Sequence, residues 1–376
     1  MTCRSYNKLL PLNTMKVVIL HDWLTGFRGG ERVLEAICEM YPDAPIYTLI
    51  HDKGSLPESI ESREIVTSFL NSIPGIYKNY RKFLPLMPLA ADLMKITHEC
   101  DLIISSSHCV IKGVKKPKGA KHICYIHSPM RYIYDQFENY FGNASLPVKI
   151  VAHLIRPYLS WWDRKSNRNV DLFLPNSKFV EKRIFKYYGE KTPTKVVYPF
   201  VDLIDFKEIQ LNPPKKEDFY LMVTAFAPNK RVDLAISAFN KLGHTLKIIG
   251  GGSEDEIHHL QTNANSNIEF LGKVSREEVV SHYARAKAFI FPGVEDFGIT
   301  PLESMASGTP IIAFRAGGVL ETLTDKTATF FDEPARESLI QAINKHEDKR
   351  IEDLHARAEE FSKDVFVENL KNYCHL

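Results

Sequence analysis

"AFIFPGVEDFGITPLESMASGTPIIAF" (residues 288–314) is the stretch from which the rest of the chain can be read. A short apolar run, AFIFPG, stops at Pro-Gly, and a second, PIIAF, opens at Pro310. Between them lies a turn and an apolar-periodic segment that starts at about Pro301 and stops at Gly308. Strand, turn, helix and strand in this order form the unit of a parallel sheet, because parallel neighbours need a crossover. The turn carries Glu295, Phe297 and Gly298, and Glu303 follows about one turn into the helix. The first N–H groups of a helix have no intrahelical partner and lie at its positive end. The amides of Phe297, Gly298, Ile299 and Thr300 therefore suit an anion such as phosphate, and Gly298 lets a ligand come close to the main chain. An ionised carboxylate only accepts hydrogen bonds. Glu303 then suits the two hydroxyls of a ribose, and Glu295 those of a sugar beyond the phosphates. Taken on spacing alone, two acids that merely cap a helix explain the pattern equally well.

The same alternation runs through the chain. KVVIL (16–20), DLIISS (101–106), KHICYIH (121–127), DLFLPNS (171–177) and TKVVYPF (194–200) read as buried strands. Residues 31–41 and 178–188 read as helices between them. A polar, Pro-containing stretch, QLNPPKKEDF (210–219), interrupts the pattern. It then resumes with YLMVTAF (220–226), TLKIIGGG (245–252), IEFLG (268–272), AFIFPG and PIIAF, and residues 335–376 read as helical. Two sets of βα units predict an α/β protein of two Rossmann-like, doubly wound domains facing a cleft, with strand C-termini turned toward it.

Composition agrees with a globular chain of 376 residues, 44% hydrophobic and 25% charged. The net charge of +2 is unevenly spread. Residues 1–200 hold 28 Lys and Arg against 18 Asp and Glu, whereas residues 201–376 hold 20 against 28. A basic first half fits an anionic surface such as phospholipid or a lipid phosphate, and equally fits solvated faces. The loop cations Lys112, Lys115, Lys116, Lys118 and Lys121 carry the same two readings. The helix expected over 149–163, with Trp161 and Trp162, reads better as a buried domain helix than as one resting on a membrane. Six cysteines form no CxxC pair, which suits a reducing cytoplasm. No leader is recognised, and no apolar run reaches the roughly 18 residues needed to span a bilayer. The expected location is cytoplasmic, at the inner face of the membrane.

Several stretches together resemble the family-four glycosyltransferases, retaining enzymes of the GT-B fold. They are MKVVILHDWLTGFRGGERVLEAI (15–37), CYIHSPMRYIYD (124–135), DLFLPNSKFVEKRI (171–184), VVYPFVD (196–202), APNKRVDLAISAF (227–239), KIIGGGSEDE (247–256) and the opening stretch. The resemblance implies an acceptor domain over 15–200, a nucleotide-sugar donor domain over 201–355, and a terminal helix, 356–376, packing back toward the first domain. It implies transfer of a sugar from a nucleotide-diphosphate sugar, with Glu303 on the ribose and Glu295 on the donor sugar. Lys230 is then the cation on the phosphates, with Arg231 beside it, although a Lys-Arg pair at a helix start can also be plain surface. His127 is implied near the donor sugar, Arg131 on a phosphate, Gly29 and Gly30 at a close backbone approach, and Gly251, Gly252 and Val274 around the base. One departure stands out: the family's arginine five residues before the lysine is Ala225 here, so Arg231 or Arg28 would have to compensate.

No D-x-D triplet occurs, which fits transfer without a metal or other cofactor. The variants HSPMRYIYD and EDFGITPLE resemble the mannosyltransferase-like branch of bacterial surface polysaccharide and lipopolysaccharide assembly. They suggest GDP-mannose as donor and a saccharide or lipid-linked saccharide as acceptor, with no nucleic-acid partner. The alternatives are a sugar-nucleotide epimerase or hydrolase of the same fold, or a non-catalytic nucleotide-sugar binder. A nicotinamide dehydrogenase is disfavoured, because no G-x-G-x-x-G follows an early strand.

Overall fold

The computed structural model describes residues 15–142, 145–347 and 353–374. They divide into two compact units. The first takes in residues up to 176, 180–197 and 367 onward; the second takes in 177–179 and 198–366.

The first unit is built on a parallel sheet of six strands: β1 (Val17–His21), β2 (Ile46–Thr48), β3 (Ile65–Thr67), β4 (Leu102–Ser107), β5 (Lys121–Ile126) and β6 (Leu172–Pro175). Their spatial order is β3-β2-β1-β4-β5-β6. The second unit repeats the plan with β7 (Tyr220–Ala225), β8 (Leu246–Gly251), β9 (Ile268–Gly272), β10 (Ala288–Phe291), β11 (Ile311–Phe314) and β12 (Ala328–Phe331), in the order β12-β11-β10-β7-β8-β9. Read from the other edge, this is the same doubly wound order. Each sheet therefore reverses its winding once, between β1 and β4 in the first unit and between β7 and β10 in the second. Loops leaving the carboxyl ends of these strand pairs diverge and open a crevice, where such sheets bind ligands.

The sequence reads as strands because both faces are covered. β1 and β4 are buried at every residue, as expected of continuous apolar runs between helical layers. Among the helices that bear on the site are α1 (Gly29–Met40), α2 (Met87–Leu93), α3 (Leu146–Ser166), α4 (Lys178–Tyr188), α5 (Val232–Leu242), α6 (Glu254–Thr262), α7 (Arg276–Arg285) and α8 (Ile299–Ala306). α8 begins two residues before the expected Pro301. The proline sits in the first turn, where its missing N–H has no intrahelical partner to lose.

Some expectations are corrected. Residues 194–200 form no strand: the segment runs beside β6 and makes an isolated bridge, Thr194 with Phe173. Pro193 and Pro199 lack the N–H groups a ladder needs. β2 and β3 escaped the sequence reading because three residues are too few to show a period, and β12 was missed as well. The stretch 210–219 lies inside the second unit. Lys112 is no solvated loop charge. It is 1% exposed and its ammonium lies 2.7 Å from the buried Asp163 carboxylate. The helix expected over 149–163 is α3, and it is buried on one face alone, with Trp162 inside and Trp161 outside.

Candidate functional site

In the second unit the loops after β7 and β10 are locked together by a glycine. A Cβ at Gly293 would stand 2.4 Å from the Asn229 carbonyl oxygen and 2.8 Å from Lys230 Cα, so no larger residue fits. The contact is sealed by Val294 N–H donating to the Asn229 carbonyl at 3.1 Å. It sets Lys230 against Glu295, with ammonium and carboxylate 2.5 Å apart and both side chains about one-fifth exposed. These two line a small pocket with Thr224, Pro292 and Gly293, at the point where the sheet reverses.

The turn then runs into α8. Gly298 has φ 93°, a left-handed conformation that L side chains rarely adopt. Gly317 and Gly318 pack under the same turn: Gly318 N–H donates to the Glu295 carbonyl at 2.9 Å, and a Cβ at Gly318 would meet the Asp296 carbonyl oxygen at 2.0 Å. Phe297 is buried and stacks on Tyr198, with centroids 5.7 Å apart. The amides from Phe297 to Thr300 are thus carried on a turn anchored from below. Ile299 and Thr300 are half-buried.

Glu303 is 8% exposed and already engaged. The Arg276 guanidinium donates to Oε1 at 2.6 Å and the Tyr283 hydroxyl to Oε2 at 3.2 Å. Arg276 also donates to Asp205 at 2.8 Å and lies over the Phe206 ring. Burial alone would lower the arginine's proton affinity, but the Glu303 and Asp205 carboxylates reverse this and raise it. Burial pushes the Tyr283 phenol well up, so it remains a neutral donor. Each carboxylate oxygen of Glu303 keeps acceptor capacity for a further hydroxyl. Sequence reading missed Arg276, Tyr283 and Asp205, which lie on other elements; no spacing rule links them to Glu303.

Other expected residues fall at the same end of this sheet. Ala225 closes β7 and pairs in register with Gly251. Gly252 lies against Phe226, where a Cβ would stand 2.9 Å from the Phe226 Cβ. Val274 is half-buried between β9 and α7. Arg231 takes φ 52° at the start of α5 and turns its guanidinium to Asp233 at 3.2 Å.

The first unit has its own polar cluster at the reversal between β1 and β4. Gly29 and Gly30 open α1, where Glu31 accepts the Arg28 N–H at 2.9 Å. A Cβ at Gly30 would lie 3.7 Å from His127 Nε2 and 4.0 Å from His21 Cε1, so the glycine backbone faces two imidazoles. His127 shares a hydrogen bond with Ser106 at 2.8 Å. Burial, then the neighbouring His108 and His21, push its pKa down to about 3, so it is neutral at pH 7. His21 is fully buried, with Nε2 3.6 Å from Glu31. Burial pushes the Glu31 carboxyl up, but His21 more than offsets this and leaves it at about 2. Asp22 holds the floor of the cluster. Its buried carboxylate accepts the N–H groups of His108, Cys109 and Ile111 at 2.7–2.9 Å and the Ser107 hydroxyl at 3.1 Å. Arg131 is half-buried on the segment after β5. Asp135, four residues on, pairs with Arg183 at 2.5 Å.

Two Rossmann-like units in tandem, each a doubly wound parallel sheet of six strands, define the class as the GT-B type of α/β fold. Residues 27–204 match Glycosyltransferase Family 4, and residues 204–365 match Glycosyl transferases group 1. The chain belongs to this glycosyltransferase family, with both domains in tandem. An uncharacterized glycosyltransferase of Methanocaldococcus jannaschii is 31% identical over 203 residues, 52% of this chain and 55% of that protein. An alpha-1,3/1,6-mannosyltransferase of Candida glabrata is 27% identical over 84% of this chain and 79% of its own length. The chain spans between half and two thirds of the length of several other curated relatives it matches. Among solved structures, sucrose-phosphate synthase from Thermosynechococcus elongatus superposes with a TM-score of 0.71 at 17% identity, covering 95% of this chain and 98% of that one. That likeness concerns the fold.

Proposed function

We propose that this chain transfers a sugar from a nucleotide-diphosphate sugar to a saccharide or lipid-linked saccharide acceptor, with retention of configuration and without a metal. The observation that carries the proposal is the Lys230 ammonium held 2.5 Å from Glu295 at the reversal of the second sheet, beside a glycine turn that opens α8. As the bond between the sugar C1 and the diphosphate oxygen breaks, the electron pair stays on that oxygen, an acceptor hydroxyl oxygen bonds to C1 from the same face, and its proton passes to the departing diphosphate. Lys230 and the amides of Phe297 to Thr300 meet the growing charge, and such preorganised donors are worth most at that moment. The Lys230–Glu295 pair then opens: the ammonium turns to the phosphates and the carboxylate to the sugar hydroxyls. Glu303, held by Arg276 and Tyr283, takes the ribose hydroxyls. The first unit's neutral His127, with Gly29, Gly30 and Arg131, is assigned by the family resemblance to further contacts with the donor. Mannose from GDP-mannose is the donor best supported, through the motif variants and the mannosyltransferase among the relatives.

Thermal shift with GDP-, UDP- and ADP-sugars tests the donor. A ligand at 100 times its Kd adds about 2.7 kcal/mol of stability, a readily measured rise. Product formation that requires an acceptor separates a transferase from a hydrolase or epimerase. No stabilisation by any nucleotide sugar overturns the reading.

A further inference from the structure

At the carboxyl ends of β1, β4 and β5, where the first sheet reverses, three partly exposed rings stand together. Trp23 follows β1, His108 follows β4 and His127 follows β5. The Trp23 and His108 rings meet edge to face, with centroids 4.5 Å apart and planes at 90°. His127 lies 6.2 Å from His108, at 71°. The rings therefore form a corner and not a stack. Trp23 is backed by the buried Tyr80, whose centroid is 4.9 Å away. Asp22 holds one end of the segment after β4. Its carboxylate accepts the N–H groups of His108, Cys109 and Ile111 and lies 3.5 Å from His108 Nδ1. The buried Lys112–Asp163 pair holds the other end. A loop that only covers a sheet end needs neither buried carboxylate, since each costs stability unless fully paired. A loop that must place a side chain accurately does need such support.

Two polar atoms of the corner are left over. Among the described residues, neither His108 Nε2 nor the Trp23 indole N–H makes a hydrogen bond. The His108 side chain is one-third exposed, so Nε2 is within reach of a ligand. Charge here is already spent. Asp22 is saturated by main-chain donors, and Glu31 accepts the Arg28 N–H and faces His21. His127 is neutral, and burial lowers the pKa of His108 in spite of Asp22. The rings themselves thus offer no charge to a phosphate. They offer an apolar face and neutral groups that donate or accept one hydrogen bond each. A pyranose has the matching surface, an apolar face of C–H groups rimmed by hydroxyls.

We infer that Trp23 and His108 form the subsite for a sugar ring of the saccharide acceptor, the indole covering its apolar face and the imidazole Nε2 bonding one hydroxyl, on the loop that Asp22 fixes. That a saccharide binds here stands apart from the donor site; that this saccharide is the acceptor rests on the proposed transfer.

Saturation-transfer difference NMR on the full chain tests this with the methyl α-glycosides of mannose, glucose and galactose, without nucleotide. At least one is expected to receive transfer at its ring protons. His108→Ala is expected to weaken that glycoside about five- to tenfold, the scale of one neutral hydrogen bond. His108→Gln is expected to restore most of the loss and His108→Asn little, because only the longer side chain brings an amide nitrogen near the place of Nε2. Trp23→Leu is expected to weaken it about tenfold. If Trp23→Leu does not fold, the His108 series decides. No transfer from any glycoside to the wild type overturns the inference. Binding that the His108 series leaves unchanged overturns it as well, because the sugar then sits elsewhere. Thermal stabilisation by nucleotide sugars is read on the same samples. Stabilisation that His108→Ala abolishes gives the corner to the donor and overturns the inference. Glycoside binding with no stabilisation of the wild type by any nucleotide sugar upholds the subsite and counts against the transfer reading alone.

Discussion

Lys230 and Glu295 show how a residue's partner constrains its role. An ammonium 2.5 Å from a carboxylate is neutralised by it, and under the proposed function a diphosphate that offers more charge draws it away. With Ala225 where the family's arginine stands, that proposal leaves Lys230 with fewer helpers. Lys230→Ala is expected to lower kcat by about 100- to 1,000-fold, the usual scale for one preorganised donor, with Lys230→Arg recovering part of it. Steady-state kinetics decide; an unchanged kcat moves the phosphate cation elsewhere. Glu303→Ala is expected to weaken donor binding by about 30- to 100-fold through loss of charged hydrogen bonds. Arg276 acts through Glu303. Arg276→Ala is expected to raise the donor KM by about tenfold and to leave kcat nearly unchanged. Equal losses in both parameters would give Arg276 a direct part in the reaction.

Loops are fixed by close contacts that strands and helices alone do not dictate. The turn after β10 meets the loop after β7 only because Gly293 has no Cβ. Gly293→Ala forces the Asn229–Lys230 main chain aside and is expected to cost about 1–3 kcal/mol of stability, as overpacking does. Urea unfolding measures the cost, and activity should fall further than stability because Lys230 is displaced. Asp22 plays the matching part in the first unit, where one buried carboxylate satisfies three main-chain N–H groups after β4. Asp22→Ala leaves those donors buried without an acceptor and is expected to destabilise by about 3–5 kcal/mol. A stability close to wild type would mean that water replaces the carboxylate.

At the scale of the whole molecule, acid should loosen the first unit before its carboxylates are all protonated. His122 is fully buried in β5, and burial holds its pKa at about 4 against 6.5 when exposed. Between those values the unfolded chain binds more protons than the folded one, so stability falls as pH drops from 6.5 toward 4. The loss is about 2 kcal/mol by pH 5 at about 1.36 kcal/mol per unit. Glu31 acts in the same direction at lower pH, between 4.5 and about 2. Denaturant midpoints at pH 7.5 and 5.0 check this; His127, held down to about 3, adds a loss of the same sign, so His122→Asn should shrink the difference without removing it. A midpoint that does not move between these pH values would mean that neither histidine resists protonation in the fold.

The α/β class and the two sets of βα units were legible along the chain, because a buried parallel strand is a run of apolar residues and its crossover helix has its own period. That Glu295, Gly298 and Glu303 fall on one turn and the helix it opens was legible for the same reason, since one strand, one turn and one helix carry them. The hydrogen bonds on Glu303 from Arg276 and Tyr283, the Lys230–Glu295 pair, the inward turn of Lys112 and the outward face of α3 were not. Each joins residues far apart in sequence or depends on which side of an amphipathic helix meets the sheet. Local periodicity encodes an element and its apolar stripe, whereas the partner of a charge is chosen by packing between elements.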